Sequence, residues 1–547
     1  MTDDNNPRDG LRRGGGWGHA ALPMTRWFNT AGPCNPIDHY MLPAAERLPE
    51  ARDMIDRKSY FVVHAPRQTG KTTTLMALAQ ELTAEGRYAA LYFSCESASA
   101  YAEDVRAVER EIVRAMASFA RWMLPAELRP PEPPHGPDAE GLFSQVLEEW
   151  ARVCPRPLVL MVDEIDSLIG ASLVGVLRQL RQRYPMRPTG APWSVILCGL
   201  RDVRDYKAAS GGDPTRLGTS SPFNIKVRSL RLGNFTAAEV RTLYAQHTAD
   251  TGQAFTEEAV ASAFELTGGQ PWLVNALAHE VVDRMRVPAT TAITAAHMDE
   301  AKERLILARQ THLDSLVDKL REPRIKRVIE PIMAGRPFDP DIYQDDFAYV
   351  RDLGLVAQDK PVRIANPIYR EIIVRVLGGT IEESVTASPE RYVLPDGRLA
   401  FNRMLASFCR FWREHGEALV GAVPYAEVAP QVVLLAFMQR IVNGGGYIDR
   451  EYGVGRGRID VLVRFPYRKP DGQPATQRRA LELKVWRKGQ KDPLAKGLTQ
   501  LDGYLARLGL RRGTLVIFDA RGKIASRRPR WEEATTKSGR TVRVLRL

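Results

Sequence analysis

Ser59 to Glu81 reads SYFVVHAPRQTGKTTTLMALAQE, and the fold turns on how this stretch is parsed. SYFVVHA is short, apolar and rich in β-branched and aromatic residues, the signature of a buried strand. Thr72 to Glu85 carries helical periodicity. Between them lies APRQTGKT, Ala65 to Thr72, close to the phosphate-loop pattern G-x-x-x-x-G-K-[ST] with Ala65 in place of the first glycine. The position between strand and helix is what the chemistry needs. Backbone N–H groups of the turn and the positive end of the helix converge on one point, and Gly70 lets the chain approach a phosphate closely. Ala65, Pro66, Arg67, Gln68, Thr69 and Gly70 are therefore the predicted cradle. Lys71 reaches the β- and γ-phosphates of ATP, and the Thr72 hydroxyl ligates Mg²⁺. A chance match on a surface turn would lack the flanking strand and helix.

Outward from this stretch the alternation recurs. AALYFSC (89–95), LVLMVDE (158–164) and WSVILCG (193–199) read as strands, with helical stretches at Thr72–Glu85, Val105–Leu124 and Leu142–Arg152. Apolar strands separated by helices predict an α/β fold with a parallel sheet covered on both faces. Pro125 to Pro137 reads as a loop. Ligands of such sheets gather at the carboxyl ends of the strands. Asp163 emerges there and is placed to hold Mg²⁺ through water, while Glu164 is the candidate base that orients the attacking water. The plainer reading, two carboxylates capping the next helix, is weakened by Lys71. Arg201, in the exit loop after WSVILCG, is the candidate γ-phosphate sensor; a surface arginine or a nucleic-acid contact fits that position equally.

Thr236 caps AAEVRTLYAQHT with Glu239 three residues on, Thr256 caps EEAVASAFELT, and Gly268 and Gly269 stop that second helix before a third begins near Pro271. Helices IKRVIEPIM (325–333) and DDFAYVRDLGL (345–355), a two-strand turn in VAQDKPVRIANP (356–367) and helix IYREIIVRVL (368–377) follow the order of a winged helix. The predicted organisation is a disordered lead at 1–29, a phosphate-loop core at 30–232, a helical lid at 233–320 and a winged helix at 321–378. A linker at 379–399 then leads to an α/β domain at 400–547. No internal repeat is visible.

The net charge of +12 is unevenly spread. Residues 451–547 hold 24 Lys and Arg against 9 Asp and Glu, an excess of 15, so the rest of the chain carries −3. A basic domain on a mildly acidic body predicts a polyanion partner, nucleic acid first, unless the charge is simply a solvated face. No run of about 18 apolar residues is present, so no membrane span is expected. The N-terminus lacks the apolar core of a secretory signal. Five widely spaced cysteines without a CxxC pair suggest reduced core residues of a cytoplasmic protein.

Within the basic region, GRGRIDVLV (455–463) sets Asp460 on a strand. LELKVW (481–486) sets Glu482 and Lys484 two apart, hence on one strand face. QLDGYLARL (500–508) presents Gln500 and Tyr504 on one side of a helix. Taken alone, D…ExK arises on many exposed strands; order and spacing give it weight.

Two resemblances rest on these residues. APRQTGKT, LVLMVDEID and TGGQPWLVNALA (267–278) resemble the AAA-like ATPases of prokaryotes near the STAND branch, with Gly269-Gln270-Pro271 in the place of their G-x-P motif. This implies ATP-dependent opening and closing of a lid; a nucleotide-dependent oligomer stays open, because no trans-acting arginine is identifiable. The C-terminal pattern resembles the PD-(D/E)XK nuclease fold, with Ile459 where the family name has proline. That likeness implies metal-assisted phosphodiester hydrolysis, with Asp460 and Glu482 holding Mg²⁺ and Lys484 positioning the water. Glu427, or its rival Glu451, would be the helix-borne acid. Arg456, Arg458, Arg487, Lys488, Lys491 and Lys496 would hold the backbone. The leading expectation is an ATP-controlled nuclease acting on DNA or RNA. Its rivals are a STAND-like switch whose last domain binds without cutting, and a transcription regulator reading DNA through the winged helix.

Overall fold

The computed structural model describes residues 26–102, 104–132, 141–200, 225–308, 316, 318–333, 344–384, 388–422, 428–442, 445–454, 457–521 and 529–547. Arg201, Glu427 and Arg456 lie outside these, and of Glu451 and Arg458 only the backbone is described.

The first layer is a five-stranded sheet in the order β2-β3-β4-β1-β5, parallel throughout. Its strands are β1 (Tyr60–His64), β2 (Ala89–Ser94), β3 (Leu158–Asp163), β4 (Ser194–Gly199) and β5 (Lys226–Arg231). The helices begin and end within two residues of expectation: α2 spans Lys71–Ala84, α3 Val105–Met123 and α4 Leu142–Val153. Together with α1 (Pro49–Asp56) and α5 (Gly170–Arg183) they cover both faces. Alternate strand residues feed two separate cores. Tyr60, Val62, Leu160 and Val162 pack under α3 to α5, while Phe61, Val63, Val159 and Met161 pack under α1 and α2. The edge strand β5 was not expected, because KVRSLR is charged and, of its described side chains, only Leu230 is buried.

The lid helices are α6 (Ala237–Thr251), α7 (Glu257–Thr267), α8 (Pro271–His279) and α9 (Ala295–Leu307). Thr236 and Glu239 form the expected reciprocal cap, and the Thr256 hydroxyl accepts from Ala259 N at 3.2 Å. Next come α10 (Pro323–Met333), α11 (Gln344–Asp352) and α12 (Pro367–Ser384). The anticipated two-strand wing is reduced to one antiparallel bridge, Val356 to Ile364.

The N-terminal lead and the linker both differ from expectation. Trp27 bridges His39 and meets its ring edge-on at 4.8 Å, and Phe28 is buried against Tyr40 and Tyr244. The lead therefore ends before Arg26, because these aromatic rings have a core to enter. The supposed linker continues α12 to Ser384 and then buries Tyr392 and Leu399.

The last domain has a six-stranded mixed sheet in the order β10-β11-β9-β8-β7-β6. Its strands are β6 (Tyr447–Val454), β7 (Gly457–Arg468), β8 (Pro474–Trp486), β9 (Arg512–Asp519), β10 (Arg530–Thr535) and β11 (Thr541–Arg546). Helices α13 (Phe401–Ala422) and α14 (Ala429–Val442) cover one face, and α15 (Leu494–Leu508) covers the other. The β10–β11 hairpin was missed, although TVRVLRL after the KSGR turn alternates as a strand should. One apolar core runs without a break through the lid, α10 to α12 and the α13/α14 face of this domain. Among the described residues no helix is long and apolar enough to cross a membrane. All five cysteines are free, with Cys95, Cys198 and Cys409 buried.

Candidate functional site

The phosphate loop joins β1 to α2. Gly70 has φ +87°, and a Cβ there would stand 2.9 Å from Arg47 Nη1. Gln68, at φ +58°, makes the other left-handed bend. Lys71 Nζ donates to the Ala65 and Pro66 carbonyls at 2.9 and 3.1 Å, which keeps the ammonium within the loop. The Thr72 hydroxyl donates to Asp163 Oδ2 at 2.7 Å. This bond ties the start of α2 to the end of β3 and joins the two halves of the predicted site. Asp163 is fully engaged, since Tyr92 OH also donates to Oδ2 at 3.0 Å and Glu164 N donates to Oδ1 at 2.9 Å.

Glu164 follows in a left-handed conformation, φ +52°. Burial, then Asp166 and Asp163, push its carboxyl pKa up against the opposing pull of Lys71. A raised pKa beside a buried carboxylate suits a group that accepts a proton. The fit to a nucleotide is also one of shape. A cavity of about 640 Å³ is lined by Gly70, Lys71, Thr72, Asp163 and Glu164 at one end, and by Pro33, Met41, Leu42, Leu243 and Trp272 elsewhere. Acidic and hydroxyl oxygens beside Lys71 suit Mg²⁺-triphosphate, and the apolar lining suits a purine.

Sequence reasoning missed three contributors. Arg47 donates to the Thr69 carbonyl at 2.8 Å and the Gly233 carbonyl at 2.6 Å, fastening the loop to the start of the lid. Burial pushes its pKa down to about 10, so it stays charged at neutral pH. Tyr92 sits in an apolar run, and its hydroxyl points at Asp163. The third is the segment 29–44, a strap over the cavity. It is held to the lid by Trp272 Nε1 donating to Thr30 O at 2.8 Å and by Gln246 bonding both Met41 O and Met41 N. Cys34 N donates to Thr73 Oγ1 at 3.1 Å and ties it to α2. The polar, Gly- and Pro-containing sequence TAGPCNP offered only a loop signal.

The G-x-P motif touches this site. Gly269 has φ +70°, and a Cβ there would overlap the Phe235 carbonyl at 1.9 Å. Gln270 caps α8 through Leu273 N at 2.6 Å and donates to the Gln68 carbonyl at 3.3 Å. On the opposite side Gly354 packs on Pro66, where a Cβ would come 2.8 Å from the proline ring. Lid and winged-helix segment thus both contact the phosphate loop.

In the last domain the structure brings Asp460, Glu482 and Lys484 together. One step beyond the Val461–Leu481 pair, Asp460 faces Glu482 across β7 and β8. Asp460 Oδ2 accepts from Leu483 N at 2.8 Å, and Lys484 Nζ lies 2.6 Å from Glu482 and 3.7 Å from Asp460. Glu482 is 1% exposed, and its Oε2 has no hydrogen-bond partner. Burial, then Asp460, push its pKa up to about 7, and Lys484 opposes the shift. The Lys484 pKa is raised: burial opposes the charge, and Asp460 and Glu482 outweigh it. Gln500 Oε1, on α15, is likewise buried without a partner, and Tyr504 is close enough to Lys484 to act on its charge. Lys488, Lys491 and Lys496 are exposed along the chain leaving β8. Among the described residues no group of three or more His, Cys, Asp or Glu is arranged to hold a metal.

The sequence family described as AAA domain matches residues 54–206. Among curated proteins none matches the chain. Among solved structures, the Walker-type ATPase PABY2304 of Pyrococcus abyssi is similar at 13% identity over 63% of this chain and 99% of its own, with a TM-score of 0.44. The ORC2 protein of Aeropyrum pernix, solved as ADPNP and ADP complexes, is similar at 14% identity over 66% and 99%, with a TM-score of 0.41. The RuvB Holliday junction branch migration motor of Thermotoga maritima follows at 14% identity over 60% and 93%, with a TM-score of 0.33. The strand–loop–helix carrying Lys71 and Thr72, with the Asp163 that Thr72 bonds, forms a P-loop ATPase core that over 54–206 is similar to the AAA domain family.

Proposed function

We propose that this ATPase domain governs a metal-dependent nuclease-like centre at Asp460, Glu482 and Lys484. The observation carrying the reading is their convergence on one sheet face, with a buried, unpartnered carboxylate oxygen on Glu482. An orphaned anionic oxygen beside a second carboxylate is costly unless a cation completes it. Asp460 and Glu482 would hold Mg²⁺, which when bound supplies Lewis-acid activation of a phosphodiester. Lys484 would hold positive charge where negative charge develops on the phosphate, with Tyr504 near enough to act on that charge and Gln500 one turn before it on α15. At the ATPase site Thr72 and Asp163 would hold Mg²⁺, and Glu164 would accept the proton of the attacking water.

The path from one site to the other is physical. Gln270 and Gly354 contact the phosphate loop, and the core behind them continues into the last domain. A second reading, an ATP-dependent switch whose last domain binds nucleic acid without cutting, is favoured by the absence of a third acidic or histidine ligand among the described residues. Plasmid DNA and a long RNA, incubated with the protein and Mg²⁺ with and without ATP, separate the two. Cleavage lost in Asp460→Ala is the expected result. Cleavage that persists in that variant removes this centre, and binding without cleavage under all conditions selects the switch.

A further inference from the structure

The mixed sheet has a second concentration of charge, on the face that Glu482 does not use. Along β8, Arg479 shares its face with Leu481 and Leu483, opposite to Glu482 and Lys484. The β8–β9 register pairs Leu481 with Thr514, so two steps back Arg479 stands beside Arg512. On the next strand Thr541 pairs with Arg512, and Arg543 follows two residues on, along the same face. Arg398 joins them from above, because Leu399 exchanges two hydrogen bonds with Gln477, the residue two before Arg479.

Arg479, Arg512 and Arg543 cross three adjacent strands, which lie about 4.8 Å apart, and Arg398 stands beside the first of them. Like charges on neighbouring strands repel and disfavour the fold. The repulsion is visible on Arg479, whose pKa is lowered by burial and then by Arg398 and Arg512. Its Nε is buried without a hydrogen-bond partner. Among the described residues, Asp396 pairs with Arg398, and Glu533 is opposite Arg543 on β10. Neither makes an ion pair with Arg479 or Arg512. At the outer edge Trp531 is 36% exposed and lies under the Arg543 guanidinium at 4.5 Å.

We propose that this face, Arg398, Arg479, Arg512 and Arg543 with Trp531 at its edge, is a nucleic-acid-binding surface separate from the Asp460–Glu482–Lys484 centre. A row of guanidinium groups that repel one another is relieved by a row of phosphates, and an aromatic at its edge accepts a base. The partner is a nucleic-acid strand held by its phosphodiester backbone. The inference shares with the proposed function the premise that the last domain acts on nucleic acid, and it assigns binding and cutting to opposite sides of one sheet.

The test is fluorescence polarisation of labelled single-stranded and duplex oligonucleotides with the full chain in EDTA, across a salt series. Arg479→Gln and Arg512→Gln are each expected to weaken binding on the order of 10-fold and to lower the log–log salt slope by about 1. Lys537→Gln, which removes the same charge at the exposed β10–β11 turn, is expected to change affinity less than about 2-fold. Thermal unfolding supplies a second readout. Arg512→Gln relieves repulsion and is expected to hold or raise the unfolding temperature, whereas an arginine needed only for structure would lower it. Equal losses in Lys537→Gln and Arg512→Gln overturn this surface while leaving nucleic-acid binding intact. Displacement of the oligonucleotide by millimolar inorganic phosphate at matched ionic strength assigns the arginines to a small anion and also overturns it. A wild-type chain that binds neither DNA nor RNA overturns both this surface and the reading it rests on.

Discussion

At the scale of single residues the ATPase site makes the sharpest demands. Lys71→Ala removes the one ammonium in the cradle, and ATP affinity measured by calorimetry should fall at least about 100-fold. Glu164→Gln keeps the shape and the left-handed backbone but cannot accept a proton. It should bind ATP normally and turn it over about 10²- to 10⁴-fold more slowly; equal turnover would reassign the base. Gly269→Ala tests the lid joint. The added Cβ meets a carbonyl oxygen at 1.9 Å where φ is +70°, so the bond from Phe235 N, in the β5–α6 loop, to Gly269 O must break. A loss of roughly 2 kcal/mol or more is expected, read as a lower unfolding temperature. Much of this was legible in the sequence, because Lys71, Thr72, Asp163 and Glu164 sit in motifs whose spacing is set by backbone geometry. Arg47 and Tyr92 were not, since each acts on partners that only the fold brings near, Thr69 and Gly233 for Arg47 and Asp163 for Tyr92.

At the scale of elements the pairing of β7 with β8 fixes an electrostatic consequence. Burial of Glu482, and then the neighbouring Asp460, raise the Glu482 pKa to about 7. A carboxyl with a raised folded-state pKa binds its proton more tightly in the native chain than in the unfolded one. Stability of the metal-free domain therefore falls as pH climbs from about 4.5 to about 7 and levels off above. Glu482→Gln never ionises, so its stability relative to wild type should rise across that window. Urea unfolding of both at pH 5 and pH 7.5 measures this, and parallel pH dependence would show that Glu482 is not shifted. The strands carrying Asp460, Glu482 and Lys484 could be read from their alternation. β5 and β10 escaped because charged edge strands lack the apolar face that marks a strand, whereas the internal β11 carries that face in Val542 and Val544. The wing shrank to one bridge because Asp359, Lys360 and Pro361 leave few residues free to pair.

At the scale of the whole molecule, the cores divide the chain differently from its motifs. Two clusters serve the ATPase sheet, while one cluster joins the lid, α10 to α12 and the α13/α14 face of the last domain. An ion pair, Arg464 to Asp299 at 2.8 Å, crosses from β7 to α9 along the same joint. These parts should resist unfolding as a unit. Hydrogen exchange should show Phe408→Ala, a substitution in α13, loosening α9 and α12 together with α13 while sparing β1 to β4. Exchange confined to α13 would mean that the last domain is energetically separate. The strap at 29–44 has a consequence of its own, which concerns time. It crosses the nucleotide cavity and is fastened chiefly to the lid, through Thr30 and Met41, with Arg26 bonded to Asp250 at its base. Cutting those fastenings is therefore expected to speed the release of a bound nucleotide, so that the strap contributes to dwell time alongside the grip on the phosphates.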